Sequence, residues 1–148
     1  MRTETFPLNL LQVTPLSLLP AALVLLIAGC GSNLGPGGGA TVVSFNTEDG
    51  VQLSGHLLGE GGVGVVLSHM RSADQESWWP FARVLKDKGY RVLAYDFRGY
   101  RDSQGELDID NIDMDVQAAL NFLKSQGVSK AFLVGASMGG TASLKVAS

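Results

Sequence analysis

The sequence lacks most of what several common functions would require. It has one cysteine, Cys30, so no intrachain disulfide is possible. Its 11 lysines and arginines against 14 aspartates and glutamates leave a net charge of −3 and no basic stripe, so nothing suggests a nucleic-acid partner. No apolar run reaches the roughly 20 residues that cross a bilayer; the nearest, residues 16–27, is too short. There are no internal repeats, and histidines number two, His56 and His69. What remains is 148 residues, 45% of them hydrophobic, enough for one globular domain.

The N-terminal region has an order of its own. Arg2 precedes the uncharged apolar run Leu16 to Ile27, and the small residues Ala28 and Gly29 follow it. That is the layout of a secretory signal peptide. Ile27-Ala28-Gly29-Cys30 resembles the lipobox of bacterial lipoproteins. The resemblance implies that residues 1–29 are removed and that the Cys30 thiol carries diacylglycerol. Two or more acyl chains anchor a protein stably where one is marginal. The expected partner at this end is a membrane, on the extracytoplasmic side of the cell envelope. Residues 30–40, rich in glycine, read as a flexible tether, with the folded domain over 41–148.

Within that domain, Thr41 to Asn46 and Val51 to Leu58 read as strands joined by Thr47-Glu48-Asp49-Gly50, an Asp-Gly hairpin signal. Val63 to Ser68 is a short apolar strand. A helix is expected over Glu76 to Lys88, with Trp79, Val84 and Leu85 inward and Gly89 as its stop. Arg91 to Tyr95 is another strand. Ile112, Val116, Ala119, Leu120 and Leu123 share one face of a helix over Asp110 to Gln126. Lys130 to Val134 is a buried strand, and a helix starts at Met138. A hairpin followed by β-α-β-α-β-α implies an α/β fold, a mostly parallel sheet covered on both faces.

Gly135-Ala136-Ser137-Met138-Gly139 falls between that last strand and its helix. Gly-x-Ser-x-Gly in this setting lifts a serine hydroxyl out of the sheet on a strained backbone, and the glycines let strand and helix approach. The Met138 N–H, at the helix N-terminus, then points where an oxyanion would form. A solvated serine in a Gly-rich turn is the competing reading.

Two further segments resemble the α/β-hydrolase family. Val65-Val66-Leu67-Ser68-His69-Met70-Arg71 is similar to its strand and His-Gly-x oxyanion loop. Tyr95-Asp96-Phe97-Arg98-Gly99-Tyr100-Arg101-Asp102-Ser103 is similar to its Asp-x-Arg-Gly-x-Gly-x-Ser loop. The likeness covers residues 41–148 and looks nearest to the serine-aminopeptidase, monoacylglycerol-lipase and dienelactone-hydrolase branches. It implies Ser137 as nucleophile, the N–H groups of Met138 and Arg71 as oxyanion hole, a small-molecule acyl substrate, and no metal or organic cofactor. Met70 stands where the family has glycine, so its N–H is the second choice of donor after Arg71. Arg101 also replaces a glycine, which strains the turn if φ is positive there. Ser103 is a turn residue.

The family's order is Ser, then Asp or Glu, then His, and the latter two would lie beyond residue 148. His56 alternates with Gln52 and Ser54 on the polar face of its strand and is expected to be solvated. His69 shapes the oxyanion loop. Asp96 comes too early for the triad acid, and Asp102 orders its own turn. Glu106, Asp108, Asp110, Asp113 and Asp115 lack the glycine an EF-hand loop needs and serve a helix N-terminus. The family order also places the fifth strand beside the third with a sixth on its other side, so Lys130 to Val134 would be an unpaired edge. The chain therefore reads as the N-terminal portion of a lipid-anchored serine hydrolase of esters, thioesters or amides, with little turnover alone. The rival is a non-catalytic lipoprotein that binds a partner or ligand through the half-built cleft.

Overall fold

The structure, a computed structural model, describes residues 35–148. The expected signal segment, Cys30 and the first residues of the tether lie outside them. Among the described residues there are five strands: β1 (Ala40–Asn46), β2 (Gln52–Leu58), β3 (Val63–Ser68), β4 (Arg91–Tyr95) and β5 (Lys130–Gly135). Three helices accompany them: α1 (Trp79–Asp87), α2 (Ile112–Ser125) and α3 (Met138–Ala147). The sheet order is β1-β2-β4-β3-β5. β3 runs parallel to both β4 and β5, whereas β2 is antiparallel to β1 and to β4. The sheet is thus mixed rather than mostly parallel, because the N-terminal hairpin docks as a pair against β4.

Alternation along the strands sends side chains to two layers. Val65, Leu67, Val92 and Ala94 pack with Ala82 on the α1 face. Val66, Leu93 and Tyr95 pack on the other face with Ile112, Val116, Ala119 and Leu123 of α2 and Ala142 of α3. Helices therefore cover both faces, as the element order implied.

The expected helix over 76–88 is split. Asp74 accepts from the Glu76 N–H at 2.9 Å and starts a 3₁₀ turn over Gln75–Trp78. The α-helix proper begins at Trp79, with Pro80 in its first turn where a missing N–H costs nothing. Val84, expected inward, is 49% exposed; Leu85 does pack inward, and Ala82 is buried where Val84 was expected. Trp78 joins the α1-side core, and the Trp79 ring lies edge-on to His56 at 5.8 Å. Both indoles therefore pack within the domain.

Residues 35–39 differ from a free tether. Arg83 donates to the Gly35 carbonyl at 2.7 Å and Lys86 to the Gly38 carbonyl at 2.6 Å, tying this stretch to α1.

The acidic run is also more than a dipole partner. Asp108 takes the Asp110 N–H at 3.1 Å and the Asn111 amide at 2.8 Å just before α2. Asp115 is fully buried. Its carboxylate accepts from the Arg98 backbone N–H at 2.9 Å and from Arg98 Nε at 2.8 Å. The same guanidinium reaches Asp49 in the hairpin turn at 2.7 Å. Arg98 thereby ties β1–β2, the loop after β4 and α2 together. Burial pushes the Asp115 carboxyl up, against the pull of Arg98, while Arg98 itself is held firmly protonated by its two carboxylates. Asp115→Asn keeps one acceptor but leaves the buried guanidinium half-paired. It is expected to cost about 2 kcal/mol of unfolding free energy in urea titration; a change under about 0.5 kcal/mol would show the pair to be dispensable.

Candidate active site

The site begins at the C-terminal ends of the parallel strands, where βα loops gather. At the end of β5 the chain turns sharply into α3, and Ser137 takes φ 49°, ψ −113°. Among the described residues only Arg101 shares a positive φ without being glycine. Both flanking glycines are sterically required. A Cβ on Gly135 would lie 2.3 Å from the Gly139 carbonyl carbon and oxygen. A Cβ on Gly139 would lie 2.3 Å from the Ser68 carbonyl oxygen and 2.7 Å from that of His69. The Ala136 N–H donates to the Ser68 carbonyl at 3.1 Å, locking the turn to the end of β3. Ser137 ends up exposed, and its hydroxyl has no hydrogen-bond partner among the described residues. The first N–H groups of α3, Met138's included, have no carbonyl ahead of them in the helix.

Ser137, Met138 and Arg71 line one cleft of about 570 Å³, together with Ile109, Ile112 and Lys145. Two loops distant in sequence therefore meet at the serine. A second cleft of about 560 Å³ lies between the hairpin turn and α2, lined by Thr47, Gln117 and Asn121 among others. It contains no strained residue and no nucleophile poised on a turn, so chemistry favours the Ser137 cleft. Cys30 lies outside the described residues.

His69 follows β3 and is fully buried. Its Nε2 lies 3.2 Å from the Phe97 backbone N–H, which can only donate. Nε2 is therefore the acceptor, and Nδ1–H donates to the Met70 carbonyl at 2.8 Å. Burial pushes its pKa down, consistent with a neutral ring. Both nitrogens are occupied, so His69 cannot take a proton from Ser137. It acts on the loop instead. The Ala73 N–H also donates to the Met70 carbonyl, at 3.1 Å, so that oxygen is gripped twice. In a trans peptide the Arg71 N–H points the opposite way from the Met70 C=O, which aims it out of the loop.

Asp96 is buried and accepts from the Gln75 backbone N–H at 2.9 Å and its side-chain amide at 2.6 Å. Burial raises its pKa, and His69 Nε2 stands 3.9 Å off. Its task is to seat the 3₁₀ turn that leads into α1. Two expectations need correction here. His56 is half-buried rather than solvated, because Gln75 bends back to meet its Nδ1 at 2.8 Å. Asp102 makes no hydrogen bond among the described residues; Ser103 orders that turn, donating to the Asp96 carbonyl at 2.6 Å and accepting from the Ser54 N–H at 2.9 Å. Arg101 does adopt φ 46°, and its guanidinium is pinned by Asp74 at 2.6 Å and Glu76 at 3.3 Å. Among the described residues β5 pairs with β3 alone, leaving the expected open edge; the strand is therefore not buried as expected, and its Phe132 is 44% exposed.

Sequence reasoning missed Gln75, Tyr100 and the Arg98–Asp115 pair. Asp115 had a readable signal: it falls on the same helical face as Ile112, Val116 and Ala119, where a charge needs a partner.

Comparison with known proteins agrees with this geometry. A family profile described as alpha/beta hydrolase fold matches residues 60–148. The chain is 33% identical over 116 residues to the dihydrolipoyllysine-residue acetyltransferase component of an acetoin cleaving system from Pseudomonas putida, covering 74% of this chain and 31% of that protein. It is 37% identical over 91 residues to thiohydrolase aneE from Aspergillus aculeatus, covering 57% of this chain and 29% of that one. Among solved structures it is similar to the Pyrococcus furiosus esterase Pf2001, with TM-score 0.67, 27% identity and 72% and 46% of the two chains covered. An epoxide hydrolase from Vigna radiata gives TM-score 0.62 at 27% identity, with 72% and 34% covered. The chain thus spans under half the length of each.

Proposed function

The chain belongs to the alpha/beta hydrolase fold family, and on that footing we propose that it carries the nucleophile-bearing part of a serine hydrolase of esters, thioesters or amides. The observation that carries this is the positive φ of Ser137 between two glycines that admit no Cβ. Ser137 Oγ would attack the acyl carbonyl of a small-molecule substrate. The N–H groups of Met138 and Arg71 would hold the oxygen as it gains charge. A serine needs a base, and the base needs an orienting acid. His56 bonds Gln75 and both ring nitrogens of His69 are taken, so the base would come from outside residues 35–148. No metal or organic cofactor enters the chemistry. Three of the relatives' names support acyl chemistry on esters and thioesters, an esterase, a thiohydrolase and an acetyltransferase component; the epoxide hydrolase supports the scaffold alone.

The complete polypeptide that carries these residues is expected to cleave p-nitrophenyl butyrate and a butyryl thioester. Free butyrate as the product marks a hydrolase, and butyrate found only on an added alcohol or thiol acceptor marks a transferase. Failure of the complete polypeptide to form either product would overturn the proposal. Residues 1–148 alone should give neither.

Cys30 is proposed to carry the lipid anchor, which would hold the domain at the outer side of a membrane. Mass spectrometry of the mature protein should find diacylglycerol on an N-terminal Cys30; an unmodified Cys30 would remove the membrane assignment.

A further inference from the structure

The oxyanion loop is a four-residue turn. Met70 C=O accepts from the Ala73 N–H at 3.1 Å, so Arg71 and Ser72 are its central residues and the Arg71–Ser72 peptide is its central plane. Turns of this kind have a soft mode. Flipping the central peptide interconverts types I and II, and type II needs a positive φ at the third residue. Ser72 is not among the non-glycine residues with positive φ, so the plane sits in the type I orientation.

One contact holds that plane. The Tyr100 hydroxyl, from the loop after β4, donates to the Arg71 carbonyl oxygen at 2.8 Å. The Tyr100 ring packs edge-on against His69 at 4.7 Å, which fixes where the hydroxyl can reach. At the next position Arg101 grips Asp74 and Glu76, so the β4 loop brackets the oxyanion loop at two points. The planes on either side of Arg71 are therefore held by different partners. His69 and Ala73 hold the first through the Met70 carbonyl, and Tyr100 holds the second.

We propose that Tyr100 is a positioning residue for the oxyanion hole: its hydroxyl locks the central peptide of the Met70–Ala73 turn and so keeps the Arg71 N–H aimed at the cleft beside Ser137. This rests on the assignment of Arg71 as an oxyanion donor. Without the hydroxyl the Met70–Ala73 turn loses its one tie to the β4 loop at Arg71, and the turn as a whole, with the Arg71 N–H it carries, is held less firmly against the cleft. Burial raises the pKa of the Tyr100 hydroxyl, which keeps it a donor through neutral pH.

The test compares wild type, Tyr100→Phe, Ser72→Gly and the double variant in the complete polypeptide. Tyr100→Phe removes only the hydroxyl and leaves the ring on His69. Losing an oxyanion donor outright costs about 10²–10³ in kcat; loosening one should lower kcat about tenfold with KM within about twofold. Ser72→Gly adds backbone freedom at the centre of the turn and so loosens it from within. It should lower kcat about threefold by itself and by more than the product of the two single effects in the Phe background, a non-additivity that simple destabilisation would not produce. The Ala73 amide, which reports opening of the turn, should exchange with deuterium about tenfold faster in Tyr100→Phe. Unchanged exchange, or additive effects on kcat, would overturn the proposal. Exchange is read without turnover, so it still decides the role of Tyr100 if Ser137-dependent hydrolysis fails, a failure that would count against the proposed function instead.

Discussion

Ser137→Gly is expected to abolish hydrolysis by the complete polypeptide while making the fold more stable. The nucleophile is gone, and loss of a triad serine costs about 10⁶ in kcat. The stability gain comes from φ 49°, ψ −113°, a conformation that costs a residue with a Cβ about 1–3 kcal/mol. Glycine adopts it freely but gives up about 0.5–1 kcal/mol of chain entropy, so the net gain should be about 1 kcal/mol in unfolding free energy. Ser137→Ala is the control. It should be equally inactive and no more stable than wild type, because its Cβ retains the strain. If glycine and alanine gave the same stability, the strain at the turn would be absent and with it the main physical sign that this serine is held for a purpose.

Gly139→Ala should damage both fold and activity. A methyl there meets the backbone of Ser68 and His69 at 2.3–2.7 Å, and no rotamer change can relieve a clash with a carbonyl. α3 must shift outward, which breaks the Ala136-to-Ser68 hydrogen bond and moves Ser137 away from Arg71. Overpacking of this kind costs about 3 kcal/mol, and a displacement near 1 Å at a reacting atom costs about 10²-fold in rate. Thermal unfolding and kcat should both register it. Gly140→Ala is the contrast. Its nearest neighbour, the Gly135 carbonyl oxygen, would be 3.2 Å from the new methyl, a distance a small shift accommodates. Equal effects at the two positions would mean that the close approach of helix and strand is not what the glycines serve.

The elements that positioned the site were legible because their patterns are local. β3, β4 and β5 are short apolar runs between polar ones, and α2 repeats its apolar residues at helical spacing. The elbow was legible for the same reason: two glycines, a serine and the strand-to-helix change lie within a few residues. Where tertiary packing decides, local pattern fell short. Val84 lies outward because Ala82 and Leu85 meet the sheet. The hairpin signal was visible, but which strand the hairpin would join was not, and its pairing with β4 made the sheet mixed. The links that shape the oxyanion loop join residues nearly thirty positions apart: His69 to Phe97, and Tyr100 to Arg71. No spacing rule reaches that far. His56 looked solvated because its strand alternates correctly, yet Gln75, in the 3₁₀ turn before α1, comes back to claim it.

The most direct test is to treat the complete polypeptide with a fluorophosphonate and map the adduct by peptide mass spectrometry. A single label on Ser137, abolished by Ser137→Ala, is the predicted result. A label at any other serine, or none on an enzyme that still hydrolyses esters, would contradict the account.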